Sequence, residues 1–404
     1  MEEKSPVYLV MVTTNNNNKY YRMIPHGDTF EVEYGRVGAS CQHASYSMSQ
    51  WNKKYNEKIK KGYVDQTHLV QDLIQKEKPK GKDGYKEIEN KVIAEIVQRL
   101  QDMAHQKIQA NYKVSSQQVT QAMVDEAQKV IDKLMQREEV EDFNNTLLEL
   151  FSVIPRKMGN VNDYLSRSKE DFARILKDEQ DLLDVMRGQV VTHTVQDEPD
   201  TDDVEEKQET ILEAMGLEFE ETTEEDVRMI KSLLGDCRDK FYRAWRVKNI
   251  KTQKRFDEFI NKEHISKTKL LWHGSRNENW WSIINTGLVL RPTNAVITGK
   301  MFGYGIYYAP KARKSLGYTS ISGSYWARGN SSSAFMALMD VAYGKPYDVH
   351  SFDSKYYDFN YERLQKTCPG ANCLHAHAGS MLRNDEIIVY KEDQCTIKYL
   401  VELR

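Results

Sequence analysis

Cysteine is scarce in this chain: there are five in 404 residues, at positions 41, 237, 368, 373 and 395. That uneven spread makes no disulfide framework and predicts a reducing, intracellular setting, without fixing whether it is nuclear or nucleoid-associated. No apolar run approaches the ~18 residues that a membrane helix needs, so no membrane partner is expected. The first residues, Met1-Glu2-Glu3-Lys4-Ser5-Pro6, have neither the basic start nor the apolar core of a secretory signal. No paired Cys-x-x-Cys finger stands near the N-terminus either. One-sided charge is also lacking overall, at a net −3, but the balance hides two opposed segments. Residues 1–86 carry four more basic than acidic side chains, clustered at Lys53-Lys54, Lys58, Lys60-Lys61 and Lys76 to Lys82. Asp197 to Asp226 holds fifteen carboxylates against one lysine.

The length predicts two or three domains. Strand-like runs at Val7 to Thr14, Tyr20 to Ile24 and Thr29 to Tyr34 are separated by Asn15-Asn16-Asn17-Asn18 and Pro25-His26-Gly27-Asp28, both turn-forming. A helix over Trp51 to Lys61 and a return strand behind Gly62-Tyr63 complete a β-rich module over 1–84, closed by the linker Pro79 to Gly84. Helical periodicity then fills 85–190. Its apolar positions are Ile93, Ile96, Val97, Leu100 and Met103, then Val119, Met123, Ala127, Val130, Ile131 and Leu134. Phe143, Leu147, Leu148 and Phe151 follow up to Pro155, and Phe172, Ile175, Leu176, Leu182 and Leu183 form the last group. Ser115 and Gln118 form a capping box for the second of these helices. This pattern is a helical bundle. The acidic segment, taken as 191–225, reads as a solvated linker and as a candidate acceptor for self-modification. A helix with Val227, Ile230, Leu233 and Leu234 then opens the last domain, 226–404, leading into Phe241, Tyr242 and Trp245.

Three segments of that last domain fit one chemistry. They are Trp272-His273-Gly274-Ser275, Gly303-Tyr304-Gly305-Ile306-Tyr307 and Asn384-Asp385-Glu386-Ile387-Ile388-Val389-Tyr390, each beside an apolar β-prone stretch. A His, a Tyr and a Glu carried on separate strands can converge on one cleft. Together the segments closely resemble the signature of the poly(ADP-ribose) polymerases, diphtheria-toxin-like ADP-ribosyltransferases with a His-Tyr-Glu triad. The matching residues are His273, Tyr307 and Glu386. Tyr34-Gly35-Arg36 resembles the Trp-Gly-Arg motif of the WGR domain, with Tyr in place of Trp. Phe151 to Gly159 resembles the regulatory helical domain that precedes the catalytic domain in DNA-dependent members. The resemblance therefore implies three folds: a small β-rich α+β WGR-like module, an all-α bundle and an α+β transferase domain.

It also implies roles. NAD would be the substrate, with no metal in the chemistry. Cleaving its nicotinamide–ribose bond develops positive charge on the ribose, which a nearby carboxylate stabilises. Glu386 would supply that carboxylate and orient the acceptor hydroxyl. His273 would hold the adenosine ribose, and Gly274 would leave room for the carboxamide, with Ser275 in the same motif. Tyr307 and Tyr318 would sandwich the nicotinamide ring. Ser315 would donate to the carboxamide, and Lys314 would lie beside Glu386. Damaged or broken DNA and acceptor proteins, the chain itself included, are the implied partners. Tyr34, Gly35 and Arg36 are the candidate DNA residues, and Arg36 has a second expected role in joining the module to its neighbours. The implied activity is polymer synthesis stimulated by DNA. Mono-transfer, NAD hydrolysis and a non-enzymatic DNA-end scaffold remain open as alternatives. Two weaker signals stand apart from the resemblance: Gly303-x-Gly305 as a phosphate loop, and Cys368, Cys373, His375 and His377 as a zinc group.

Overall fold

Alternating apolar and polar residues between 7 and 47 give four antiparallel strands, because each side chain points to the face opposite its neighbour's. The computed structural model describes residues 4–70, 85–112, 119–196, 209–290 and 301–404. The strands are β1 Val7–Thr13, β2 Asn17–His26, β3 Thr29–Arg36 and β4 Gln42–Ser47. Helix α1, Trp51–Lys60, follows, and β5, Val64–Asp65, completes a sheet ordered β4-β3-β2-β1-β5. Leu9, Tyr21, Met23, Phe30 and Val32 form its core with Trp51 of α1. The Asn run turns at Asn16, whose positive φ of 58° suits asparagine, while Asn17 and Asn18 already belong to β2.

The helices are α2 Lys91–Asn111, α3 Gln121–Leu134, α4 Val140–Val153 and α5 Phe172–Gln196. Ser115 and Gln118 lie outside the described residues. Helix α3 is capped instead by Thr120, whose side chain accepts from the Met123 amide. Helix α4 ends two residues before Pro155, with Ile154 extended, since a proline ring disfavours helical backbone in the residue before it. The chain forms two compact units, and the division falls within α2. The first holds the β-rich module with 105–197; the second holds 83–104 with 198–404. The compact units do not follow the expected boundary at 84/85: the first turns of the helical segment fall in the second unit.

In the first unit, β1 packs on α4 and α3 packs on both α4 and α5. Arg156, buried behind Pro155, pairs with buried Glu179 of α5 and lies between the rings of Tyr112, Phe151 and Tyr164. A buried guanidinium needs such a partner, because the cost of desolvation is offset only when the charge is paired.

In the second unit the expected linker is shorter than read. Residues 197–208 lie outside the described residues, but Ile211–Met215 is a helix, α6, and Leu217–Glu221 is a strand, β6. Leu212, Met215, Leu217 and Phe219 are buried, so the acidic residues there are the solvent face of amphipathic elements. Helix α7, Glu224–Leu234, starts at a capping box between Thr223 and Asp226. The remaining elements are β7 Phe241–Asn249, α8 Ile250–Lys262, β8 Lys269–Gly274, α9 Trp280–Thr286, β9 Ile306–Tyr308 and α10 Ala312–Leu316. Then come β10 Ala334–Val341, β11 Pro346–Val349, α11 Tyr361–Thr367, β12 Cys373–Ala376, β13 Glu386–Val389 and β14 Cys395–Leu403.

The strands make two sheets, β6-β7-β14-β10-β8 and β11-β12-β13-β9. Among the described strands of these sheets, only β11 and β12 pair in parallel. The first sheet's core includes Trp272, Met336, Leu338, Val401 and Leu403 under Ile230 and Leu234 of α7. The second sheet packs Leu374, Ile388 and Tyr390 against Phe302, Tyr356 and Phe359. The α2 segment of this unit is tied to β14 by charge. Glu402, fully buried, pairs with Arg99 at 2.8 Å and with Arg243 at 2.9 Å, and Arg243 also reaches Glu95.

Candidate active site

Among the described residues, one bridge joins the two sheets of the second unit. Trp272 and Ala309 exchange both backbone hydrogen bonds, at 2.9 and 3.1 Å, linking the end of β8 to the residue just beyond β9. Strand β9 in turn pairs with β13, Tyr307 opposite Ile388 and Tyr308 opposite Ile387. His273, Tyr307 and Glu386 are thus carried to one place by three strands in two sheets.

His273 receives its orientation from the backbone: Nδ1 donates to the Tyr307 carbonyl at 3.2 Å, leaving Nε2 free to accept. Its ring meets Trp280 and Tyr308 edge-on. Burial among these aromatics depresses its pKa to about 4, so the ring is neutral at physiological pH. Tyr307 donates to the Gly303 carbonyl at 3.1 Å and accepts from the Phe302 amide at 3.2 Å. Burial, reinforced by the Glu386 charge, raises its phenol well above the usual range. Tyr318, just past α10, is pushed up to about 12 by burial and then by Glu386. Both phenols stay protonated.

Glu386 opens β13 and is ion-paired with Lys314 of α10; both side chains are largely buried. The resemblance implies Lys314 beside Glu386, and the two are in direct contact. Ser315 differs from expectation. Its hydroxyl donates to the Trp272 carbonyl at 3.0 Å, so in this arrangement its oxygen is left to accept a hydrogen bond rather than to give one. Gly274 is required for a further reason besides ligand room: a Cβ there would stand 2.0 Å from the Ser315 carbonyl oxygen. Only glycine lets β8 approach α10 this closely. Ser275 accepts from Asn279 at 3.0 Å, fixing the turn after the strand.

The phosphate-loop reading of Gly303 and Gly305 gives way to packing. A Cβ on Gly303 would collide with the Phe359 backbone, and one on Gly305 with Ile388 of β13. Two residues escaped the sequence reading. Trp280 faces His273, and Trp326 stacks on Tyr318 with centroids 6.1 Å apart and planes 17° apart. The sequence signal for Trp326 is the aromatic pair Tyr325-Trp326 within a Ser- and Gly-rich stretch; in the fold both side chains are exposed. The zinc group also rearranges. Cys373 is buried and its thiol donates to the Tyr343 carbonyl. Cys368 packs with the second sheet's core. His375 and His377 instead meet Asp348.

In the first unit, Tyr34 packs 5.9 Å from Tyr21 on the sheet's core face. Gly35 pairs with Tyr20 in the β2–β3 register. Arg36 is hydrogen-bonded four times within the chain, to the Asn16 carbonyl and side chain and to the carbonyls of Met158 and Gly159. Asn18 adds a bond to the Arg156 carbonyl. The guanidinium therefore joins the β-rich module to the loop after α4, the second of its two expected roles.

Comparison with known proteins adds two matches. Residues 224–404 match the model of the poly(ADP-ribose) polymerase catalytic domain, and residues 5–70 match the model of the WGR domain. Among similar proteins are two from Invertebrate iridescent virus 6. Uncharacterized protein 101L is 35% identical over 186 residues, 45% of this chain and 76% of the viral protein. The poly(ADP-ribose) polymerase-like protein 100L is 32% identical over 190 residues, 46% of this chain and 97% of its own length. Poly(ADP-ribose) polymerase 2-A of Oryza sativa subsp. japonica is 25% identical over 292 residues, 63% of this chain but 42% of the plant protein.

Proposed function

Because the chain belongs to the poly(ADP-ribose) polymerase family, we propose that it transfers ADP-ribose from NAD to protein side chains, its own included, and extends the product into polymer. The observation that carries this reading is the convergence of His273, Tyr307 and Glu386, a complete triad, across the Trp272–Ala309 bridge.

In this reading the nicotinamide ring enters between Tyr307 and Tyr318, with Trp326 backing the second ring. Offset stacking on a protonated phenol suits a ring that is cationic in the ground state, and it weakens as nicotinamide leaves neutral. The carboxamide bonds the Gly274 backbone, and the Ser315 oxygen accepts one of its N–H groups. Neutral His273 offers Nε2 to a hydroxyl of the adenosine ribose. It acts as a positioning group rather than a base, since burial lowers its pKa to about 4 and makes Nε2 a weak proton acceptor. Glu386 accepts from the reacting ribose and faces the positive charge as the glycosidic bond lengthens. A fixed carboxylate in a site shielded from water stabilises that charge more than it would in bulk solvent. For elongation the same carboxylate orients the hydroxyl of the previous unit. Lys314 holds Glu386 in place beforehand.

DNA-break stimulation through the WGR domain and the helices is part of the proposal. The rice protein matches over more residues than the catalytic domain contains, so its similarity reaches beyond that domain. Arg36 couples the WGR domain to the loop after α4, and Arg99 and Glu95 tie the start of α2 to the catalytic sheet. Helix α2 therefore has firm attachments at its first turns, where a change in the bundle would be felt.

Incubation of the full chain with labelled NAD, with and without nicked or blunt duplex, tests this. The expected result is a ladder on the protein that depends on DNA. A single shifted band would make it a mono-transferase. NAD loss without protein label would make it a glycohydrolase, and no turnover at all would leave a DNA-end scaffold.

A further inference from the structure

Away from the NAD cleft, the second sheet assembles a set of metal-binding side chains. His375 on β12 and His377 just past its end lie two residues apart, so strand alternation sends both to one face. Their rings stack at 3.9 Å. Asp348 of β11 sits opposite His375 in the parallel register, and its carboxylate reaches His377 Nε2 at 2.7 Å and His375 Nδ1 at 3.8 Å. The three ligand atoms lie within 4.8 Å of one another. On the far edge of both rings is Asp385, 3.0 Å from His375 Nε2 and 3.9 Å from His377 Nδ1. The second Asp385 oxygen accepts from the Ala378 amide.

From this arrangement we propose a binding site for a divalent transition-metal ion, of the zinc or cobalt class. Its ligands are Asp348 Oδ1, His375 Nδ1 and His377 Nε2, with water completing the shell. Two imidazoles and one carboxylate suit zinc and its neighbours rather than magnesium or calcium, which prefer all-oxygen sites. The arrangement of protons agrees. His375 Nε2 lies 3.0 Å from an Asp385 carboxylate oxygen, an acceptor, and so carries the ring proton. That leaves Nδ1 with a lone pair directed away from Asp385. A carboxylate that fixes the tautomer of a ligating histidine from behind is the recurring outer support of metal sites. His350 stacks on His377 at 4.4 Å.

Binding asks for local movement. The Tyr343 hydroxyl donates to His375 Nδ1 at 2.9 Å and must release it. His377 must shift its proton to Nδ1, toward Asp385, and the two rings must splay from their stack. Lys269 lies over the Tyr343 ring and opposes a cation there, while Asp348 and Asp385 bring two negative charges. Cys373 takes no part: it is fully buried and its thiol donates to the Tyr343 carbonyl. The site flanks the catalytic strand. Ala376, between the two histidines in sequence, pairs with Glu386, and Asp385 precedes Glu386 directly.

Cobalt(II) added to the purified full chain tests this without reference to activity. The expected result is one equivalent bound, with visible absorption of a four- or five-coordinate ion and a raised melting temperature. Zinc should displace the colour. His377→Ala and Asp348→Asn, both at sites open to solvent, should each weaken binding at least tenfold, while Cys373→Ala should leave it unchanged. If the chain binds no cobalt at near-stoichiometric concentration, the site does not exist. If the colour survives His377→Ala and Asp348→Asn in folded protein, the ion is held elsewhere and the proposal fails.

Discussion

Arg99 of α2 lies 2.8 Å from Glu402 of β14, pairing the first turns of the helical segment with a fully buried carboxylate of the catalytic sheet. Arg99 also donates to Ser333 and lies over the Phe335 ring. Arg243 remains as a partner of Glu402 if Arg99 is lost. Arg99→Ala should therefore cost about 1.5–3 kcal/mol, the range for a hydrogen bond to a charged group. Glu402→Gln leaves two arginines without their shared charge and should cost ~3–5 kcal/mol. Urea melts give both values. If α2 restrains catalysis, Arg99→Ala should also raise DNA-independent labelling severalfold. Unchanged basal labelling in a folded variant would remove α2 from the regulatory path.

Glu386→Gln keeps the shape of the side chain and removes its charge. Elongation should fall by ~10²–10³, with NAD affinity nearly retained because the aromatic and backbone contacts stay. Polymer length on a gel and NAD binding by fluorescence quenching separate the two effects. Long polymer at the parent rate would take Glu386 out of the reaction.

His273 gives a stability signature. Its folded pKa of about 4 lies below the unfolded value of 6.5, so the unfolded chain binds the extra proton first. Stability contributed by the neutral ring is complete above pH 6.5, declines as pH falls toward 4 and is constant below. The span is at most ~3 kcal/mol, and less for the edge of the ring that water reaches. His273→Gln should flatten that part of the stability–pH curve. An unchanged slope would mean the ring titrates normally.

A benzamide carries the same amide as nicotinamide and should compete with NAD. Tyr318→Ala removes one stacking face and should weaken inhibition by ~1 kcal/mol or more. Inhibition unmoved by that change would place the amide pocket elsewhere.

Arg36→Ala deletes bonds to Asn16, Met158 and Gly159. DNA affinity, read by anisotropy on a nicked duplex, should change little, whereas DNA-stimulated labelling should be lost. A loss of affinity that accounts for the whole loss of labelling would make Arg36 a DNA contact instead.

Sequence alone determined what depends on local period and on contiguous motifs. Strand alternation placed the sheet of the first module, the apolar positions of α3 mark its buried face, and Pro155 ends α4 where read. Glu386 at the head of β13 and His273 near the end of β8 were legible because each sits in an unbroken run whose neighbours specify the strand. Local reading failed where acidic content outweighed pattern: Leu217 and Phe219 are core residues inside a stretch read as linker. Tertiary structure decided everything that depends on a pairing between distant segments. The Trp272–Ala309 bridge carries no sequence signal, because it is made by backbone groups that any residue supplies. The same is true of the Ser315 hydroxyl turning to the Trp272 carbonyl, and of Gly274 yielding space to a carbonyl from α10. Asp348 could not be grouped with His375 and His377 from spacing, since only the parallel register of β11 with β12 makes them neighbours. Side-chain chemistry is written residue by residue, but proximity is set by the free energy of the whole packed core.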